Sequence, residues 1–478
     1  MKSVHILSLL CLFLYLFLSA LPAMGAEVVS STEADQTGVE VTVYNTDLAL
    51  VKDVRSILLK EGQGELRFMD VASSIRPETV HVKSLNNPPS LAILEQNYEY
   101  DLISPEKLLE KFVGRTVKIE VWNDYQGKKE IVEGTLLSTN NGLVFDIGGQ
   151  IYLNYPGLKI VPSIPDNLYA RPTLAWLYAN SAKEKHSVEV SYLTSGMTWK
   201  ADYIFVLDDA DTAADLTGWV TLNNRSGAAY RDATLKLIAG EVQTVADVLP
   251  PPMMRMAMGK GVPEAAPAFE EEAFFEYHIY NLARRTTIGN NQTKQISLLE
   301  AFGTKIGKEY ITRCERRYFT SSLQRGLLKQ KVDVVISFKN SEENNLGMPL
   351  PKGIIRMYKK DSKGSLQFIG EDRIDHTPRN EEVRLKVGEA FDVVAERRQT
   401  RYKKLADNLY ETSWELIVRN RKKDESVVVS FNEPVWGDWE VIASTHPYEQ
   451  TDAFTLRFDV PAKPDEEVVV KFSLRIRS

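Results

Sequence analysis

The sequence predicts an all-β protein built of stacked antiparallel β-sandwich modules with an inserted small β-barrel. Three observations predict it. Apolar and polar residues alternate with period two along most of the chain, as in Val39-Glu40-Val41-Thr42-Val43 and His186-Ser187-Val188-Glu189-Val190-Ser191-Tyr192, which is the pattern of a half-buried strand. Turn chemistry recurs between these runs, at Glu61-Gly62-Gln63-Gly64, Asn86-Asn87-Pro88-Pro89 and Asn140-Asn141-Gly142. Helix-start chemistry is confined to Ser104-Pro105-Glu106-Lys107, an N-cap followed by Pro and an acidic first turn.

In chain order, residues 1–26 read as a cleavable export signal. Lys2 is the cationic start, residues 4–18 are almost unbroken apolar sequence, and Ala23-Met24-Gly25 places small residues at the cleavage site. Residues 36–97 then form an N-terminal β module. Residues 98–165 combine the short helix with about five closely turned strands, a set that reads as a small closed barrel. Residues 166–249 return to long strands that continue the N-terminal sheet. Residues 250–274, rich in Pro, Met and Ala and ending in an acidic run, read as a flexible linker, and residues 275–478 as a C-terminal sandwich domain. No fixed-period repeat marks a propeller or solenoid.

The charge balance narrows the function classes. Lys and Arg number 58 against 65 Asp and Glu, a net charge of −7, which argues against a nucleic-acid partner because such a surface needs excess cations. Cys11 leaves with the leader, so Cys314 is the single cysteine of the exported chain and no intrachain disulfide forms. Once the leader is removed, no transmembrane segment is expected.

Candidate chemistry is sparse. His81, His186, His278, His376 and His446 have no metal-ligand spacing, and no cofactor motif is present, so neither a metal nor a cofactor is expected. Gly370-Glu371-Asp372-Arg373-Ile374-Asp375-His376 crowds three carboxylates and an imidazole together, and Glu371, Asp372 and Asp375 are the candidate acid/base groups. The plainer reading of that segment is a polar turn. Asp208-Asp209-Ala210-Asp211 lacks the glycine and closing glutamate of a calcium loop and reads as an acidic hairpin turn. Cys314, flanked by Arg313 and Arg316, reads as a small core residue of a strand. The basic run from Arg397 to Lys404 reads as a solvated strand face paired with acids such as Glu396, and Trp436-Gly437-Asp438-Trp439 as a strand connection with at least one indole in the core.

Several segments, in order, resemble a bacterial exported family, domain-of-unknown-function family 4139. They include Trp199-Lys200-Ala201-Asp202-Tyr203, Leu222-Asn223-Asn224, Ala233-Thr234-Leu235-Lys236-Leu237, Leu350-Pro351-Lys352-Gly353 and Phe368-Ile369-Gly370-Glu371-Asp372. Relatives in that family include mucoidy inhibitors, and many carry a coiled coil where residues 98–162 stand here. The resemblance implies a cell-envelope setting and carries no catalytic residues. The expectation is an exported protein of the periplasm or extracellular envelope that binds or scaffolds an envelope protein or polysaccharide without catalysis. The competing reading is a hydrolase of an envelope polymer using Glu371, Asp372 and Asp375.

Overall fold

A computed structural model describes residues 28–99, 103–123, 126–165, 168–240, 242–243, 269–314, 318–319, 321–323 and 326–477. The expected leader and residues 250–268 of the expected linker lie outside them. Strands make up 64% of the structure and helix 5%, in stacked sheets, so the chain is an all-β protein.

Three sheets surround the first core. A four-stranded sheet has the order Val28–Ser31, Gly62–Met69, Thr173–Asn180, Leu91–Glu99. A larger sheet centres on Tyr230–Ala239, Gln36–Tyr44, Ala49–Ile57 and His186–Thr194, and a five-stranded sheet centres on Ala213–Asn224, Met197–Leu207 and Gly353–Lys360. Their alternating apolar positions, among them Val41, Val51, Trp176, Val190, Phe205 and Leu235, are fully buried in a shared core. Burial of such side chains stabilises by about 25 cal/mol per Å² of apolar surface, which is why the period-two pattern sets each strand's inward face.

The second core lies between the six-stranded sheet that contains Gly307–Arg313, Val427–Pro434 and Thr455–Ala462 and the five-stranded sheet that contains Val393–Ala406, Leu409–Asn420 and Glu467–Arg477. The six-stranded sheet serves both cores. Ile336 and Phe338 of Asp333–Lys339, with Val383 and Leu385 of Glu382–Glu389, pack into the first core, while Val429, Phe431 and Phe458 pack into the second.

This organisation corrects the expected boundaries. Gln292–Lys305 and Gly353–Lys360 hydrogen-bond to Ala213–Asn224 and Met197–Leu207, so much of residues 275–385 belongs with the first core rather than to a separate C-terminal domain. The end of the expected linker, Phe269–Phe274, is a strand paired with Tyr277–Leu282 and anchored by the buried Phe269. The sheets are also mixed rather than purely antiparallel. Val28–Ser31, Tyr230–Ala239, Met197–Leu207 and Gly307–Arg313 each have a parallel partner, which demands long crossovers that local periodicity does not report.

The insert keeps its expected elements and departs from the expected closure. Ser104 caps the helix Pro105–Lys111 by accepting from Lys107 N at 3.1 Å. Five strands follow in the order Gln150–Leu153, Val144–Ile147, Lys128–Ser138, Thr116–Asn123, Leu158–Ile160. The sheet stays open because its edge strands have 4 and 3 residues and do not pair with one another. Gly148 and Gly149 make the tight turn between two of these strands with φ of 59° and 80°, a conformation that glycine adopts without cost. Phe112, Val117, Ile119, Leu136 and Phe145 form a separate small core.

Candidate functional site

The strand Ala49–Ile57 builds the most distinctive site. Its alternation turns Val51, Asp53, Arg55 and Ile57 to the same inward face, so a carboxylate and a guanidinium enter a layer otherwise made of Val and Ile. Arg55 is 1% exposed and Asp53 4%. Charges so far from water persist only when paired. Arg55 Nε and Nη2 both donate to Asp53 Oδ2, at 3.2 and 2.8 Å, and Nη1 donates to the Ser31 carbonyl at 3.0 Å. The guanidinium carbon also sits 3.5 Å from the centre of the Phe68 ring, adding a cation–π contact.

That pairing spends one carboxylate oxygen and leaves the other. Asp53 Oδ1 is buried with no hydrogen-bond partner, as is the neighbouring Ser31 Oγ. Asp53 and Arg55 line a polar cavity of about 300 Å³, together with Asp70, Arg171, Tyr192 and Tyr230. Asp70 has a left-handed backbone, φ 65°, and its two oxygens accept from Arg171 Nη1 at 2.7 Å and Glu33 N at 3.0 Å. Tyr192 OH accepts from Ala72 N at 3.4 Å, and Tyr230 OH lies 3.2 Å from Ser226 Oγ. Burial pushes the Tyr230 phenol up to about 12, with its bonds to Ser226 and Tyr192 pulling the other way, and burial raises the Tyr192 phenol as well. Both are neutral hydroxyls at physiological pH. Gly227 completes the wall with φ 88°, and a Cβ there would lie 1.9 Å from Ser73 Oγ, so the close approach of the two loops requires glycine.

The residues lining the cavity are therefore ionic groups already paired and two phenols, and one of them, Asp53, carries a buried acceptor atom without a donor. That set suits hydrogen bonding to a neutral polar molecule. It contains no nucleophile–base pair, and among the described residues no group of three or more His, Cys, Asp or Glu is placed to hold a metal ion. The chain matches no protein-family model and no curated protein. Its reading therefore rests on its own geometry.

The acidic segment singled out in the sequence is arranged differently. Glu371 and Asp372 are consecutive in Leu366–Ile374 and so point to opposite faces of the sheet. Glu371 pairs with Arg356 at 3.3 Å. Asp372 is taken up by backbone, accepting from Arg373 N at 2.8 Å and Lys386 N at 2.7 Å. Asp375 follows the strand in an exposed position, and His376 Nδ1 accepts from Lys352 N at 3.2 Å. None of the four lines the polar cavity.

Other sequence candidates resolve into structure. Asp208 Oδ1 accepts from Thr212 N at 2.8 Å and Ala213 N at 3.1 Å, closing an acidic hairpin turn. Cys314 packs against the second core, where burial raises its thiol well above the usual range. The basic run is not a wholly solvated face. Arg397 is fully buried and forks onto Glu433 at 2.7 and 2.6 Å, whereas Arg398 and Arg419 hold Glu415 and Glu396 nearer the surface. Trp436 stays 45% exposed, stacked on Phe454, while Trp439 packs against the second core. Ser84, His186 and Asn180 form a contact chain of 2.9 and 3.0 Å that resembles a catalytic triad in connectivity, but all three are buried and Asn180 Nδ2 is tied to the Leu59, Lys60 and Ala182 carbonyls.

The sequence reading missed Asp53 and Arg55. The available signal was their place in Ala-Leu-Val-Lys-Asp-Val-Arg-Ser-Ile, where two opposite charges occupy the same alternation phase as Val51 and Ile57.

Proposed function

We propose that the protein is an exported, non-catalytic binding module of the bacterial cell envelope, related to the exported family that its sequence resembles, and that its polar cavity takes a neutral, hydroxyl-rich unit of envelope polysaccharide. The observation that carries this reading is the unshared oxygen of Asp53. A buried carboxylate oxygen without a donor costs about 1–3 kcal/mol, and a ligand hydroxyl directed at it recovers that cost. A neutral ligand is favoured because Arg55 and Arg171 already have carboxylate partners. The hydrolase reading draws no support from Glu371, Asp372 and Asp375, of which the first two, adjacent in a strand, point to opposite faces of the sheet.

Calorimetric titration of the chain from Glu27 onward with oligosaccharides prepared from its own envelope polymer tests the reading. Binding is expected, with no shortening of the oligosaccharide by chromatography. Asp53→Asn weakens it by about ten-fold or more, the equivalent of a hydrogen bond to a charged group. Tyr230→Phe leaves the ion pair intact and weakens binding by a smaller factor. Equal affinity of wild type and both variants, or depolymerisation that survives neither Glu371→Gln nor Asp372→Asn, overturns it.

A further inference from the structure

Where the two cores meet, a second cleft, of about 270 Å³, has an apolar floor and a cationic rim. Leu207 and Ile336 come from the first core, Val334 packs against the second, and Ile369 extends the floor. Phe391 stands at the mouth with 93% of its surface exposed, a large apolar ring left uncovered by the described residues. On the rim, Lys308, Lys359 and Lys422 are 22%, 30% and 22% exposed.

These three lysines share two carboxylates. Asp211 accepts from Lys308 at 2.7 Å and from Lys359, while Glu425 accepts from Lys422 at 2.6 Å and lies 3.8 Å from Lys308. Lys422 also donates to Tyr310 OH at 2.7 Å, and both Lys308 and Lys422 lie over the Tyr310 ring. Asp392, the remaining carboxylate of the lining, is exposed to solvent. Burial pulls Lys308 and Lys422 down, but their ion pairs outweigh it and hold both above the usual lysine range. The sheltered groups of the rim are thus the three lysines and Asp211, while Glu425 and Asp392 lie nearer solvent, so cations predominate beside the apolar surface.

We propose that this cleft binds a medium-chain fatty carboxylate, with its anionic head at Lys308 and Lys359 and its alkyl chain along Leu207, Ile336 and Ile369 toward Phe391. A charge-assisted contact to lysine fixes the head, and each buried methylene of the chain contributes about 0.8 kcal/mol. The cavity lies below the ~300–1,000 Å³ of sites for drug-sized ligands, which favours one short chain over a two-chain lipid. The site is separate from the polar cavity and does not depend on its role.

The test is calorimetric titration of the chain from Glu27 onward with sodium decanoate, decanol, acetate and phosphatidylglycerol vesicles. Decanoate is expected to bind one to one, with decanol and acetate each at least about ten-fold weaker, because each lacks one of the two recognised parts. Lys359→Met weakens decanoate by about ten-fold, and Ile369→Trp, which fills the floor, abolishes its binding. Absence of decanoate binding, equal affinity for decanol, binding to vesicles alone, or wild-type affinity in whichever of the two cleft variants retains the native circular dichroism spectrum overturns the proposal.

Discussion

Arg55 and Arg397 are both sealed from water beside a carboxylate, yet they end differently. Arg397 spends two nitrogens on two oxygens of Glu433, so the carboxylate is fully engaged. Arg55 spends two nitrogens on one oxygen of Asp53 and turns its third to a carbonyl. The first arrangement engages both carboxylate oxygens, leaves only Arg397 Nε buried without an acceptor, and holds the second core. The second leaves one oxygen of a cavity-lining carboxylate without a donor. Stability measurements separate these roles. Glu433→Ala leaves Arg397 as an uncompensated buried charge and is expected to cost about 3–5 kcal/mol in chemical denaturation, whereas the paired Arg397→Met, Glu433→Leu replacement costs much less or nothing. If the single and double variants lose the same stability, Glu433 contributes packing rather than charge compensation. At the same scale, Asn224 matches a glycosylation sequon in Asn224-Arg225-Ser226 but is fully buried, with Nδ2 donating to the Ala228 and Gly289 carbonyls, so mass spectrometry of the chain expressed in a eukaryotic host is expected to find that position unmodified.

Individual strands were legible in the sequence because the pleat enforces period two wherever one face is buried, as in Gln36–Tyr44 and His186–Thr194, whose burial alternates along most of their length. Their partners were not legible. Met197–Leu207 pairs in parallel with Gly353–Lys360, a neighbour about 150 residues away, and nothing local in either strand encodes that choice. The cavity was hidden for the same reason. It gathers Glu33, Asp53, Asp70, Arg171, Tyr192 and Tyr230, which only sheet topology brings together. The acidic segment at Glu371 stood out because its charges are adjacent in sequence, but adjacency in a strand separates side chains onto opposite faces. The insert is the opposite case: its helix, strands and turns are local, its core is its own, and closure of its edges is the one feature that local pattern overstated. Expressed alone, residues 98–165 are therefore expected to give a dispersed NMR spectrum. A collapsed spectrum would mean that Phe112 and Phe145 need the flanking sandwich to form a core.

Across the whole molecule, two cores share the six-stranded sheet, and the hairpin turn at Asp211 clasps their junction through Lys308 and Lys359. Burial pushes the Asp211 and Glu425 carboxyls up, but their bonds to lysine outweigh it and hold both below the usual carboxylate range. A carboxyl depressed in the folded state stabilises the fold above its unfolded pKa, and that contribution disappears as pH falls through the lower folded value. The junction is thus expected to weaken as pH falls from about 5 toward 3. Thermal melts across that range should show a shallower pH dependence in Asp211→Asn than in wild type, and parallel curves would mean that Asp211 does not stabilise the junction. On the proposed reading, the polar cavity binds through the unshared oxygen of Asp53. A crystal structure of the chain from Glu27 onward soaked with the proposed polysaccharide's oligosaccharides tests this. A sugar hydroxyl is expected within about 3 Å of Asp53 Oδ1, with the Arg55–Asp53 pair intact. Sugar bound elsewhere on the molecule, with only water in the cavity, would contradict it.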